Sequence, residues 1–288
     1  MPIRLNKIEF YITNVCNLDC ADCNRFNDYN FRGWQAWNKY ADIYAEWAKL
    51  IQIEKIVILG GEPLLNPTLL DWIRGMESFN AGSVQILSNG TRLNSVKGLY
   101  NTVRDVRKVR SWIGISVHNL SELGLIINEV EQFLTAPVTK VVGRGNTEFD
   151  SDLSFIDANK VRIDLYMQNE FTTSAILPKG NRLTLHDSDP VTAHSACAFV
   201  QNKNYHFIHG KLYKCGPVAL FPEFDEQFNL DISNNDRALL NSYRPLTLDN
   251  FDEYHKEFFD NLDNVIPQCK FCPEISRFKI IHPILKKQ

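Results

Sequence analysis

A chain of 288 residues with 44% hydrophobic and 23% charged side chains has the make-up of an ordinary globular protein, long enough for one large or two modest domains. Its net charge of -3 argues against a dedicated binder of nucleic acid or of anionic membranes. No run approaches the roughly 20 apolar residues of a membrane span, and Met1-Pro2-Ile3-Arg4-Leu5-Asn6 lacks the apolar core of a signal peptide. A cytoplasmic protein with reduced cysteines is therefore expected.

Short apolar runs at 7–13, 55–59, 83–88, 112–117, 138–142 and 161–168 predict six strands, with amphipathic segments between them. In the first of those segments Trp37, Ala41, Tyr44, Ala48 and Ile51 recur at three- and four-residue steps. This spacing predicts a helix over 34–51, with Trp34, Trp37 and Trp47 as core. Repeated β–α units with near-continuous apolar strands imply a parallel sheet with right-handed crossovers. A complete eightfold barrel takes about 250 residues. The expected fold is therefore α/β: a partial (β/α)6 TIM-like barrel over 1–170 with a small C-terminal auxiliary domain. From 171 to 194 the chain becomes polar around Pro178-Lys179-Gly180-Asn181 and His186-Asp187-Ser188-Asp189-Pro190, which reads as a link. The small domain over 195–275 has expected strands at 205–208 and 211–214 about a His209-Gly210 turn, then a helix near 248–261. The basic, apolar end over 276–288 reads as a strand or docking tail.

The seven cysteines form two sets: Cys16-x-x-x-Cys20-x-x-Cys23, then Cys197, Cys215, Cys269 and Cys272. Three thiolates hold three corners of a [4Fe–4S] cube and leave one iron open to a small molecule, whereas four close the cube. The first set follows the first predicted strand directly, where parallel α/β folds gather their ligand-binding loops. Zinc is the alternative metal for either set. Structural zinc usually takes four ligands, however, and no histidine lies near the first loop.

With Gly60-Gly61-Glu62-Pro63 after the second strand, the first cysteine spacing resembles the radical S-adenosylmethionine (SAM) superfamily. The resemblance implies that Cys16, Cys20 and Cys23 bind a [4Fe–4S] cluster whose open iron is chelated by the amino and carboxylate groups of SAM. It implies that Gly60, Gly61, Glu62 and Pro63 meet that amino group. Glycines admit backbone carbonyls closely, and a carboxylate helps to hold an ammonium. Further SAM contacts are implied at Ser88 and Asn89, within Leu87-Ser88-Asn89-Gly90-Thr91, and at Ser116. Arg144 is a candidate partner for the SAM carboxylate. An ordinary turn or a solvated side chain remains the alternative at these positions. The residue before the third cysteine, commonly aromatic in this family and packed near the adenine, is Asp22 here. Phe26 is the available aromatic substitute.

Cys197, Cys215 and the late Cys269-Lys270-Phe271-Cys272, with Gly210 between the first two, resemble the SPASM and shortened twitch auxiliary domains attached to many of these enzymes. The one-cluster twitch form is the match. It implies a second [4Fe–4S] cluster with no open iron, serving as an electron relay or a structural staple.

The resemblance thus implies an enzyme that reductively cleaves SAM to methionine and a 5′-deoxyadenosyl radical, which abstracts a hydrogen from a substrate. An electron donor such as flavodoxin or ferredoxin is the implied partner. The first substrate expectation is a peptide or protein side chain, because auxiliary domains of this type often accompany peptide modification. A small molecule (a sugar, nucleoside or amino-acid derivative) is the alternative, and a non-catalytic iron–sulfur or zinc protein is a third reading. No leader-binding domain is evident at the N-terminus, so leader recognition would need a separate protein. Tyr166, Gln168 and Glu170 are candidates to face substrate, while His118, His206 and His209 read as packed or solvated residues. No phosphate loop, His-Glu-x-x-His helix or Ser-centred elbow is present, and no acid or base is assigned.

Overall fold

The computed structural model describes residues 2–20, 22–106, 110–143, 151–167, 175–197, 199, 205–274 and 285–286. They fall into two compact units: Met1–Asn17 with Gly33–Asn169, and Leu18–Arg32 with Glu170–Gln288. The first half of the chain runs through β1 (Ile3–Tyr11), the two-residue β2 (Leu18–Asp19), α1 (Trp37–Leu50), β3 (Ile51–Leu59), α2 (Leu69–Gly75) and β4 (Ser83–Ser88). It continues through α3 (Leu99–Asp105), β5 (Arg110–Val117), α4 (Leu123–Phe133), β6 (Val138–Val142), β7 (Leu153–Asp157) and β8 (Arg162–Met167).

All of these except β2 build the first unit. There β1, β3, β4, β5 and β8 pair side by side in parallel. The expectation of six consecutive parallel repeats is corrected at the far end of this sheet. The chain leaves β5 through α4 to β6, then returns through antiparallel β7 to place β8 beside β5. The intervening strand, Leu153-Ser154-Phe155-Ile156-Asp157, is too short and too polar to stand out as an apolar run.

Strand alternation separates the two faces of the sheet. Phe10 points to the helix side and meets the rings of Tyr44, Trp72 and Phe79 edge-on, with centroids 5.2, 6.5 and 5.3 Å away. Burying a ring of this size contributes roughly 2–3 kcal/mol. The opposite face is polar. Lys7 pairs with Glu9 at 3.2 Å, while the cationic groups of Lys55 and Arg162 lie 5.2 and 5.6 Å from the Trp112 ring centre. Trp34 corrects the core expectation: it is 48% exposed, in extended chain before α1. Its neighbour Gln35 turns inward instead, donating its side-chain amide to the Tyr11 carbonyl.

The second unit contains β9 (Ile176–Lys179), β10 (Arg182–Leu185), α5 (Pro190–Ser195), β11 (Tyr205–Ile208), β12 (Lys211–Tyr213), α6 (Gly216–Phe228), α7 (Asn234–Asn241), α8 (Phe251–Asp260) and β13 (Leu285–Lys286). The segment that reads as a polar link thus folds in part, as the β9–β10 hairpin turning at Gly180 (φ +62°) and as α5. Asp189 caps α5 by accepting from the Thr192 N–H at 2.8 Å. His209 and Gly210, at φ 52° and 73°, both adopt the positive φ that a two-residue hairpin turn requires. β13 pairs antiparallel with β2. Among the described residues, no helix is long and apolar enough to cross a membrane.

Candidate functional site

In the first unit the chain emerging from β1 is tied to the chain emerging from β3. The N–H groups of Gly61 and Glu62 donate to the carbonyls of Thr13 and Val15 at 2.7 and 2.8 Å. A Cβ on Gly60 would sit 2.3 Å from the Thr13 oxygen, so only glycine allows this approach. Glu62, 0% exposed, then reaches the end of β4. Its carboxylate accepts from Ser88 Oγ at 2.8 Å, the Asn89 N–H at 2.7 Å and the Leu64 N–H at 3.0 Å. Burial raises the Glu62 pKa to about 7, against the opposing pull of these three donors.

Asn89 carries the network onward to the first cysteine. Its side-chain amide donates to Asn17 Oδ1 at 3.0 Å and lies 4.0 Å from Cys16 Sγ. Thr91 closes the ring, donating its hydroxyl to Asn89 Oδ1 at 2.7 Å and accepting from Asn17 Nδ2 at 2.8 Å. Cys16, Gly60, Gly61, Glu62, Ser88 and Asn89 thus stand together at the carboxyl ends of β1, β3 and β4, with Pro63 starting the short turn behind Glu62. Asn17 and Thr91 are the members that residue type alone did not single out as ligands. Their signal is position: one follows the first cysteine directly and the other ends the Ser-Asn-Gly-Thr turn.

Cys20 and Cys23 belong to the segment 18–32 of the second unit. Two successive turns link them, with the Cys23 N–H donating to the Cys20 carbonyl at 3.2 Å and the Phe26 N–H to the Cys23 carbonyl at 2.9 Å. Asn27 Nδ2 lies 3.9 Å from Cys23 Sγ, so this sulfur too has an amide donor beside it. Asp22, Phe26 and Asn30 all adopt left-handed backbone, at φ 56°, 61° and 57°. Asp and Asn tolerate that region, which accounts for Asp22 at a position where the family resemblance leads one to expect an aromatic ring. For Phe26 the conformation costs about 1–3 kcal/mol. Phe26 is not an available adenine platform: it is 1% exposed and stacked on Phe221.

The second cysteine set converges in its own unit. Cys215 is pushed up to about 12 by burial, with the Cys197 and Cys269 thiols adding repulsion. Cys272 is raised strongly by burial and by Cys215, Cys197 and Cys269; Cys269 is raised by burial, and by Cys197 among its neighbours. Lys214 sits among Cys269, Cys215 and Cys197, and its side chain donates to the Asn264 carbonyl. Four soft donors with a cation among them suit a group that replaces their protons. Among the described residues, no three His, Cys, Asp or Glu side chains are gathered closely enough to grip a single ion.

The remaining candidates are dispersed. Ser116 is half-buried on β5, in register with Tyr166 on β8. The Tyr166 hydroxyl accepts from Gln85 Nε2 at 3.2 Å across Gly114, where a Cβ would lie 2.3 Å from that nitrogen. Burial, then the Asp164 charge, raises the Tyr166 pKa. Arg144, Gln168 and Glu170 lie outside the described residues. His118 follows β5, His206 is fully buried on β11, and His209 lies 3.6 Å from Glu223 at the hairpin turn.

Residues 10–151 match the family described as the Radical SAM superfamily. No curated protein sequence matches this chain. Among solved structures, Streptococcus suis SuiB bound to the precursor peptide SuiA aligns at 16% identity with a TM-score of 0.34, covering 42% of this chain and 26% of SuiB. The same protein bound to S-adenosylmethionine aligns at 16% identity and a TM-score of 0.32, over the same shares. The aligned part of the chain thus spans about a quarter of the length of SuiB.

Proposed function

We propose, from the premise that residues 10–151 form a radical SAM domain, that this protein is a radical enzyme modifying a peptide or protein side chain, with a second iron–sulfur site at its C-terminal cysteines. A radical SAM domain implies SAM and one [4Fe–4S] cluster. When bound, these supply a 5′-deoxyadenosyl radical that removes a hydrogen atom from the substrate.

The observation that carries the proposal is the network from Glu62 through Ser88, Asn89 and Asn17 to Cys16. The donor set fits the cluster: Cys16, Cys20 and Cys23 supply three thiolates, and amides of Asn89 and Asn27 lie 4.0 and 3.9 Å from Cys16 and Cys23 Sγ. Such N–H groups stabilise charge on sulfur and tune its potential. Gly60 and Gly61 bring main chain to the same strand ends for the SAM ammonium, and Glu62 holds the turn in place. Ser88, Asn89 and Ser116 are the polar groups assigned to the rest of SAM, with Arg144 for its carboxylate. Cys197, Cys215, Cys269 and Cys272 are assigned to the auxiliary cluster of twitch type, on the strength of their convergence.

Iron, sulfide and zinc content after anaerobic reconstitution tests this reading. About eight irons per chain are expected. Replacing Cys16, Cys20 and Cys23 with alanine should remove about four of them and abolish SAM cleavage; cleavage that survives sinks the proposal. Replacing Cys269 and Cys272 should remove the other four or so. Tighter binding of a precursor peptide than of nucleosides or sugars separates the peptide reading from the small-molecule one. An electron donor of the flavodoxin or ferredoxin type, and a separate leader-binding protein, complete the proposed set of partners.

A further inference from the structure

We propose that the aromatic socket of α6 is a positioning device for the iron-binding loop, with Phe26 as the residue through which it acts. The inference rests on the assignment of Cys20 and Cys23 to the first cluster. Phe26 holds a left-handed backbone that a bulky side chain rarely adopts, so something outside the loop must hold it there. That support is visible: Phe26 stacks on Phe221 with ring centres 5.5 Å apart and planes 9° from parallel, and meets Phe224 edge-on at 5.3 Å. Phe224 also takes the edges of Tyr29 and Phe31 at 5.8 and 5.3 Å, and the Arg32 N–H donates to Gln227 Oε1 at 3.0 Å. Arg25 reaches the first turn of α6, where a Cβ on Gly216 would lie 3.0 Å from its Nη1.

The path from socket to sulfur is short. Phe26 is bonded through its N–H to the Cys23 carbonyl, and Cys23 through its N–H to the Cys20 carbonyl. Fixing Phe26 therefore fixes the two turns that aim both thiols. Without the ring the backbone at residue 26 relaxes out of the left-handed region, and the turn spacing that three cluster corners demand is lost. Phe26 touches no reacting atom; it acts through Cys20 and Cys23.

The test uses the full chain, reconstituted anaerobically with iron and sulfide. The first cluster is read from the electron paramagnetic resonance change that SAM induces in the reduced protein. The auxiliary cluster is read from the signal that SAM leaves unchanged. Phe26→Ala should lower the SAM-responsive signal about tenfold, as loss of an outer support does at metal sites. The unresponsive signal and the far-UV circular dichroism should stay at wild-type levels. Phe26→Leu, which refills the socket, should recover at least about half of the responsive signal. A Phe26→Ala protein with an undiminished SAM-responsive signal overturns the proposal. So does equal loss of both signals in both variants, which marks Phe26 as ordinary core. A wild-type protein without any SAM-responsive signal would instead refute the assignment of the first cluster.

Discussion

Glu62 shows how a single buried carboxyl can be a structural node whose contribution to stability depends on pH. Its pKa, raised by burial from 4.5 to about 7, means that the folded protein holds a proton that the unfolded chain releases. The associated stability is fully present below pH 4.5 and is lost as pH rises through 7. Across that window the unfolding free energy should fall by about 3 kcal/mol relative to Glu62→Gln, which cannot titrate. Urea titrations of both proteins from pH 5 to 8 check this, and a pH-independent gap between them would refute the raised value. Gly60 makes a sharper demand, since a Cβ there meets the Thr13 carbonyl at 2.3 Å. Gly60→Ala should cost about 2–3 kcal/mol in the same assay, the penalty of overpacking against backbone. At this scale the sequence was partly legible. Paired glycines after a strand announce close backbone approach, but nothing in Gly-Gly-Glu-Pro says that the glutamate turns toward Ser88 and Asn89, because those partners lie on another strand.

At the scale of elements, strands that carry a short apolar run declare themselves and strands whose apolar residues are interrupted by polar ones do not. The segments 83–88 and 138–142 are strands with the bounds their composition predicts. β7 escapes because Ser154 and the residues beside it look like loop, although Ser154 is buried and donates to Asp164 Oδ1 at 2.7 Å. Asp164, with 0% exposure, also takes the Arg162 guanidinium at 2.7 Å and so holds β7 and β8 together on the polar face. Replacing Asp164 with alanine would leave the mostly buried Arg162 charge without its carboxylate, at a cost of about 3–5 kcal/mol. Chemical denaturation measures the loss, and a change below about 1 kcal/mol would mean that water or a neighbour takes over the guanidinium. The α6 helix escapes for a different reason. It contains two prolines, yet Pro217 occupies the first turn, where no N–H is needed, and tertiary packing carries the helix past Pro222.

For the whole molecule, seven cysteines out of 288 residues read as two sets, and the structure brings Cys197, Cys215 and Cys269 around Lys214, with Cys272 beside those three thiols in the same unit. What the linear order concealed is that segment 18–32 folds with the C-terminal half and not with its sequence neighbours. On the proposed assignment of a cluster to these cysteines, stripping metal with a chelator should lower the thermal midpoint by on the order of 5 °C or more, because the uncoordinated thiols would leave the second unit without a cross-link. Calorimetry before and after chelation checks this, and the Cys269→Ser, Cys272→Ser protein should be insensitive to the chelator over that part of the transition. An unaltered midpoint would rule out a staple at these cysteines.

The membership of segment 18–32 also imposes an order of events during synthesis. Phe26 leaves the ribosome early, while Phe221 and Phe224, which it packs against, follow 195 and 198 residues later. At roughly 5–20 residues per second, the loop bearing Cys20 and Cys23 waits about 10–40 seconds for its socket. For that interval the two thiols are exposed on a nascent chain, open to oxidation and to the wrong metal. On the proposed assignment of Cys20 and Cys23 to a cluster, iron delivery to this loop would follow release of the C-terminal half, and expression conditions that slow translation would lengthen the vulnerable period.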